Sequence, residues 1–575
     1  MSFIEELKRR RVFRAAILYL VVAWAVIEAS DLIVPRLGLP DWTVTFIIVV
    51  AGLGFPIALV LAWLYDLRPD PARAPAGHSD NRRALAYLGI GIVIAVIGFA
   101  AYSSRDQGEE PAPAASATDA AVASIAVLPF VNMSADPNQE YFSDGLTEEL
   151  LNALAQVRAL RVAARTSSFS FKGKNLPIAE IARTLNVKTV LEGSVRKEGN
   201  RVRITAQLIN AADGYHLWSQ TFDRELTDIF AIQEEISRSI ANALQLRLAA
   251  TDSASLSREQ HDLGAYDSYL QARFFWNHRT ESSLRHALSL LERAIQIDPT
   301  FARAHAALAD VYAVWNDYST TPDAQAIDES LRAARRALEL DSTLAEPHAA
   351  LGNGYYRTAR WQEAEAAFRR AIAMKPGYAT AHQWYAWLLA YTGRPAAALA
   401  EIDLALSVDP LSLIINENKG EHLMMMGRYE EAIAQFKHTL ELDSTFTVTF
   451  PYLALTYSLV GDHTTAMRWA ERTLARRENG TYDLGQSAYV LARAGQADRA
   501  RAVLKDMERR SFWAMTAQGY IALGDTARAL AALEKEYELN GAYGLLEQIT
   551  VSLGTAPVRS HPRVKELRRK LGVPQ

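Results

Sequence analysis

Few residues in the chain are of a type and spacing that could do chemistry. Asp144, Glu148 and Glu149 fall within the run Asp144-Gly145-Leu146-Thr147-Glu148-Glu149. Paired carboxylates can act as general acid and base. Acids at the start of a helix also favour the positive end of its dipole with no catalysis involved, and that structural reading is preferred. Arg165-Thr166-Ser167-Ser168 offers a cation and hydroxyls to an anion, but reads better as a polar loop at a sheet edge. His305, His348 and His382 recur at one register position. One repeat apart, they are too widely spaced to share a metal ion, and they read as half-buried packing residues. Glu28 and Asp31 interrupt a long apolar run. Acids at membrane depth are costly and often functional, although these two stand close enough to Pro35 for interfacial water to reach them.

Familiar catalytic signatures are missing. There is no Gly-x4-Gly-Lys-Ser/Thr phosphate loop, no paired-glycine dinucleotide fingerprint, no pair of histidines around a helical glutamate and no Gly-x-Ser-x-Gly elbow. The absence of cysteine removes thiolate nucleophiles, disulfides and cysteine-based metal sites. A net charge of −4 gives no electrostatic case for nucleic acid. The expectation is a chain that is not an enzyme, with no cofactor, no metal site and no nucleic-acid partner.

The elements that would position any site follow from periodicity. Asp298-Pro299, Asp341-Ser342, Lys375-Pro376, Asp409-Pro410 and Asp443-Ser444 each close an amphipathic segment, the last four at intervals of 34 residues. Small residues recur in fixed columns: Ala294, Ala337, Ala371, Ala405 and Thr439; Ala287, Ser330, Ala364, Ala398 and Ala432; Ala309, Gly352, Ala386, Gly420 and Ala454. Small side chains let two helix backbones approach closely. A 34-residue period of paired helices resembles the tetratricopeptide family, which implies an all-α solenoid over 263–575, of about eight units, that binds a protein or peptide. Carried onto this register, the family's concave-face positions are Asp310, Asn353, Tyr356, Arg357, Gln383, Trp387, Tyr391, Glu417, Glu421, Met424 and Met425. Aromatic and thioether groups suit apolar peptide side chains, and the acids favour a basic or amide-rich stretch.

Before the array the grammar changes. Ser124 to Phe130 is a short apolar strand ended by a proline, and segments on either side of Glu198-Gly199-Asn200 alternate as a hairpin. Helical spacing appears in Leu146, Leu150, Leu151 and Leu154. The opening strand, the run Tyr141 to Glu148, the run Val190 to Val195 and the run Leu217 to Arg224 together resemble the amino-terminal domain of TolB and its FlgO-like relatives. That resemblance implies a small α/β domain over 124–248 that makes protein contacts.

Three apolar runs, 15–34, 44–65 and 85–102, approach the roughly 20 residues a helix needs to cross a bilayer. Basic residues precede the first run and lie between the second and third, as Arg68, Arg73, Arg82 and Arg83 do. The positive-inside rule then places the N-terminus in the cytoplasm and everything after about residue 102 in the periplasm. The expectation is a multidomain bacterial inner-membrane protein: a three-helix transmembrane anchor over 1–102, a flexible linker over 103–123, the α/β domain and the solenoid. Its expected function is a non-catalytic scaffold for envelope proteins, with homo-oligomerisation left open. The alternative is a transmembrane sensor or regulator, of the kind linked to transcription-regulator or adenylate-cyclase-type relatives.

Overall fold

The computed structural model describes residues 123–573, apart from 158, 247–260, 320–324, 477–479 and 543, together with residues 19, 21–24, 26, 51, 54 and 55. The chain divides into two compact units, Met1–Ser116 and Ala117–Gln575. In the first, the Tyr19 hydroxyl donates to the Ala51 carbonyl oxygen at 2.8 Å. Among the described residues no helix is long and apolar enough to cross a membrane. The transmembrane anchor is therefore withdrawn, and with it the inner-membrane and periplasmic placement and the membrane as a partner. An apolar run is equally what a helix needs to bury a face on its neighbour, so hydropathy alone did not distinguish the two. Apart from the nine residues named, the three runs lie outside the described residues, as do Glu28, Asp31 and all of the 103–123 linker but Ala123.

The second unit opens with an α/β layer: β1 (Ala123–Val127), β2 (Val131–Asn132), α1 (Glu140–Ala155), β3 (Leu160–Val162), α2 (Arg165–Phe169), α3 (Ile178–Leu185), β4 (Thr189–Glu198), β5 (Arg201–Asn210), β6 (His216–Glu225) and α4 (Ile229–Ala243). The sheet order is β3-β1-β4-β5-β6, with β2 pairing β4. β1 runs parallel to β3 and β4, and β4, β5 and β6 form an antiparallel meander. Two-residue alternation explains the layering. Ile125 and Val127 face a core shared with α1 and α4, while Ala126 and Leu128 face the cluster that includes Ile181 and Leu185 of α3.

Paired helices follow: α5 (Leu263–Trp276) with α6 (Glu281–Ile297), α7 (Ala302–Tyr318) with α8 (Ala326–Leu340), α9 (Glu346–Arg357) with α10 (Trp361–Met374), and α11 (Ala379–Tyr391) with α12 (Pro395–Val408). The array continues through α13 (Leu413–Met425) with α14 (Tyr429–Leu442), α15 (Thr449–Leu459) with α16 (His463–Leu474), α17 (Thr481–Arg493) with α18 (Ala497–Arg509), and α19 (Trp513–Ala522) with α20 (Thr526–Asn540). A short α21 (Leu545–Thr550) and α22 (Pro562–Lys570) end it. The first helix of a pair stops where the chain turns left-handed, as at Gly427 with φ 75°, a conformation glycine adopts without a Cβ penalty.

The small-residue columns are fully buried, Ala309, Ala386 and Ala454 among them. At Gly420 a Cβ would stand 2.3 Å from the Phe436 ring, whereas at Gly377 the nearest atom would be 3.9 Å away. Gly420→Ala is expected to destabilise the array by about 1–3 kcal/mol through overpacking, and Gly377→Ala to change little, as read by denaturant unfolding.

One apolar core runs from the sheet into the array without a seam, from Ile125 through Leu270 to Ile415. α1 lies against α5 so closely that a Cβ on Gly145 would sit 2.8 Å from Leu270. A second junction joins α2 to the turn after α12. The Ala164 amide donates to the Val408 carbonyl oxygen, Ser167 Oγ donates to Asp409 at 2.6 Å, and the Leu411 amide donates back to Ser167 Oγ at 2.9 Å. α2 is thus a helix bonded to the array, where the sequence suggested a polar edge loop.

Candidate functional site: the acidic inner face of the array

Helical spacing assembles the site. Gln383, Trp387 and Tyr391 share one face of α11, and Glu417, Glu421 and Met424 share one face of α13. Gln383 Nε2 donates to Asn418 Oδ1 at 2.8 Å. Asn418 Nδ2 in turn donates to Glu417 at 2.9 Å and Glu421 at 3.0 Å. The Trp387 ring meets Tyr391 at 5.7 Å and His422 at 4.8 Å, centroid to centroid, and Tyr391 meets Tyr356 at 6.1 Å. Met424 Sδ accepts from Thr456 Oγ1. Arg357, on α9, is spent on Asn353 at 2.7 Å and Asp317 at 2.6 Å.

A third carboxylate comes from outside the repeats. α21 packs against α11 and brings Glu547 to the cluster, where the Tyr482 hydroxyl donates to it at 2.7 Å. Burial pushes Glu547 up to about 7. Burial also raises Glu417, with Glu547 adding to it, and raises Glu421 well above the carboxylate range, with Glu417 and Glu547 adding to it. Burial drives the neighbouring His422 down to about 4, so it is neutral near pH 7. Among the described residues, no arginine or lysine pairs with any of the three acids. Glu417 Oε1, His422 Nε2 and Asn353 Nδ2 are buried without a hydrogen-bond partner there. Buried polar groups normally find partners, so this face is chemically unfinished. Among the described residues no group of three or more histidines and acids is arranged to hold a metal ion.

The structure thus gathers Asn353, Tyr356, Arg357, Gln383, Trp387, Tyr391, Glu417, Glu421 and Met424. Met425 is half-buried beside them in α13. Asp310 lies elsewhere, 3.5 Å from Arg273. Sequence reasoning missed Asn418 and His422, although each is adjacent to a chosen glutamate. It also missed Glu547, which lies beyond the last readable repeat and has no register to reveal it.

The other candidate residues serve structure. The helix spans Glu140–Ala155, so Asp144, Glu148 and Glu149 lie within it and are buried. Asp144 accepts from Lys172 at 2.7 Å, Glu148 from Arg165 at 2.7 Å and Arg273 at 2.8 Å, and Glu149 from Arg303. In the histidine column, His305 Nε2 and His382 Nε2 bond the carbonyl oxygens of Pro299 and Pro376. Asn416 does the same for Pro410 one unit on, so at these three positions the side chain fastens the inter-unit turn.

Comparison with known proteins changes part of the reading. Residues 121–239 match the model of the HilA/YgeH-like transcriptional regulator, second domain. Residues 349–410 and 386–445 match a tetratricopeptide repeat model. A protein of Rhizobium meliloti (strain 1021) named "Putative adenylate cyclase 3" is 44% identical over 231 residues, which is 39% of this chain and 39% of the relative. Among solved structures, a tetratricopeptide protein of Thermus thermophilus is 19% identical, with a TM-score of 0.30, covering 33% of this chain and 98% of its own. One from Parabacteroides merdae is 14% identical, with a TM-score of 0.34, covering 47% and 100%. The TolB-like assignment is corrected: the α/β stretch matches a regulator's second domain, and strand-and-helix order with short motifs had not separated two small α/β domains. The expectation that the chain is not an enzyme is set aside by the cyclase-named relative, and the envelope scaffold gives way to the regulatory alternative. The chain carries a tetratricopeptide-type helical scaffold and a stretch homologous to a HilA-like regulatory domain.

Proposed function

We propose that this chain is a regulatory protein of the kind linked to transcription-regulator and adenylate-cyclase relatives, and that its array takes up a basic segment of a partner protein. The observation that carries this reading is the convergence of Glu417, Glu421 and Glu547 on an aromatic face that offers them no cation among the described residues. A lysine or arginine side chain of the partner would supply the missing charge and the missing donors. α21 is the element that yields to admit it: it is short and follows Gly541 and Gly544, both at positive φ. The α/β layer, bonded to the array through Glu148 and Asp409, would feel the change.

The test is fluorescence anisotropy with a labelled Lys/Arg-rich peptide and a Glu-rich control. The basic peptide is expected to bind, to weaken with added salt, and to lose roughly tenfold in affinity, about 1.4 kcal/mol, with Glu417→Gln/Glu421→Gln. Equal binding of both peptides would refute the reading. The likeness to the cyclase-named relative favours a second reading, in which the chain takes part in cyclic-nucleotide formation. Incubating the full chain with ATP and Mg²⁺ or Mn²⁺ and quantifying cyclic AMP decides that reading.

A further inference from the structure

A separate cavity of about 310 Å³ lies where α1 meets the start of the array, bordered by Asn152 and Gln156 from the α/β side and by Trp276, Asp310 and Tyr378 from the helical side. The charges around it are already engaged. Arg273 is bonded to Glu148 at 2.8 Å, Arg303 to Glu149, Lys375 to Glu346 at 2.9 Å, and His261 to Asp298 at 2.8 Å. Asp341 accepts from the Thr343 amide at 2.8 Å.

Three polar atoms in the same wall make no hydrogen bond among the described residues, although the other oxygen of Asp310 lies 3.5 Å from Arg273. The Trp276 indole N–H and Asp310 Oδ1 are buried and meet no partner among the described residues. Neither is open to bulk water, since Trp276 is 9% and Asp310 4% exposed. The Tyr378 hydroxyl makes no hydrogen bond there either, and Asp310 and Glu346 lie near enough to oppose its ionisation after burial has done so. Leaving the buried indole N–H or carboxylate oxygen unpaired costs on the order of 1–3 kcal/mol each. The wall therefore presents a donor, an acceptor and a hydroxyl that can be either. Arg273 and Arg279 lie over the Trp276 ring, 4.4 Å and 3.7 Å from its centroid.

We propose that this cavity is a binding site for a small neutral molecule that presents a hydrogen-bond donor and acceptor side by side, as a carboxamide or a nucleobase does. The charged side chains of the wall face one another, Asp310 with Arg273 at 3.5 Å among them, so an ion meets no wall of one sign, and a purely apolar ligand leaves the three groups bare. The walls come from both the α/β layer and the array, so an occupant would tie the two together. The site is distinct from the acidic face, and its failure would leave the function proposed above untouched.

Isothermal titration of the full chain with nicotinamide and, separately, with adenosine tests it and tells a carboxamide source from a nucleobase. At least one is expected to bind with a Kd below about 1 mM, equivalent to roughly 4 kcal/mol. Trp276→Phe keeps the ring and removes the N–H, and is expected to weaken binding about tenfold. Tyr378→Phe provides the same readout should Trp276→Phe fold poorly by circular dichroism. Glu417→Gln/Glu421→Gln is expected to leave this binding unchanged. No saturable heat from either probe, or full affinity in a folded Trp276→Phe or Tyr378→Phe chain, would overturn the proposal.

Discussion

Replacing Glu148 by alanine is expected to cost about 3–5 kcal/mol of folding stability, the range for breaking one partner out of a buried ion network. Glu148 is 4% exposed. It holds two guanidiniums at once, Arg165 at 2.7 Å and Arg273 at 2.8 Å, and Asn277 Nδ2 also donates to it at 3.3 Å. Burial pushes the Glu148 carboxyl up, and the two guanidiniums together more than offset it, holding the carboxyl below the usual carboxylate range. Removing the carboxylate leaves two cations in a place chosen for none. Arg165 suffers first, because burial already lowers its pKa and Glu148 is the strongest group opposing that. The loss falls on the joint between α1, α2 and α5, so the α/β layer and the array should part company. Denaturant unfolding followed by both far-UV circular dichroism and tryptophan fluorescence is expected to change from one transition to two. A double replacement, Glu148→Leu with Arg273→Met, is expected to lose less than Glu148→Ala alone, since it strands one guanidinium, Arg165, instead of two, and Asp144 still opposes the effect of burial on it. Asp223→Ala is the contrasting case. Its partners Arg201 and Arg203 are 68% and 56% exposed, and surface pairs of that sort contribute little. An unchanged melting temperature is expected.

This joint marks the limit of what could be read from residue order. The helices of the array could be read because their constraint is local and repeated: a small residue every 34 positions, a left-handed turn, a closing proline. The strands could be read from alternation, and the Glu198–Arg201 hairpin from its turn. The ion network could not, because Glu148 meets Arg273 across 125 positions and no periodicity connects them. Without those partners, Asp144, Glu148 and Glu149 read as ornaments of a helix terminus. The structure starts that helix four residues before Asp144, so Glu148 and Glu149 are committed to the interior. The inner face of the array was readable only where it followed the repeat. Glu417 and Glu421 stand at register positions, while Glu547 arrives on a helix that belongs to no repeat and folds back against α11. The membrane anchor failed for the opposite reason. Apolar composition was read as a destination, although it says only that a surface must be covered.

The acidic face makes the second large prediction, a loss of stability as pH rises from about 4.5 to 8. The sign follows from proton counting. Glu417, Glu421 and Glu547 all ionise at higher pH in the folded chain than the 4.5 of a free glutamate. Between those two pH values the folded state holds protons that the unfolded state has released, so raising the pH favours unfolding. The stabilisation is complete below pH 4.5 and is lost as pH passes each folded value, which for Glu547 is about 7. At roughly 1.4 kcal/mol per pH unit, the window of Glu547 alone is worth on the order of 3 kcal/mol. The groups facing the cluster do not cancel this. Tyr391 and Tyr452 are neutral in the window, burial having raised both, and Arg357 is bound to Asp317; His422, lowered by burial to about 4, acts in the opposite sense up to the ordinary histidine value of about 6.5 and offsets one of the three acids over that span. Paired carboxylates such as Glu148 and Glu346, which are lowered, act at the acid end instead, where stability falls as they take up protons. Glu417→Gln is therefore expected to melt higher than the parent at pH 8 and level with it at pH 4.5, by several degrees against none. A basic peptide seated on this face should flatten the parent's decline in the same way, because it stabilises the ionised acids and binds only the folded chain. If thermal melts at pH 8 show the peptide raising the parent's melting temperature while leaving Glu417→Gln/Glu421→Gln unmoved, charge on these acids is what the partner reads. If the peptide stabilises both equally, it binds somewhere else on the array.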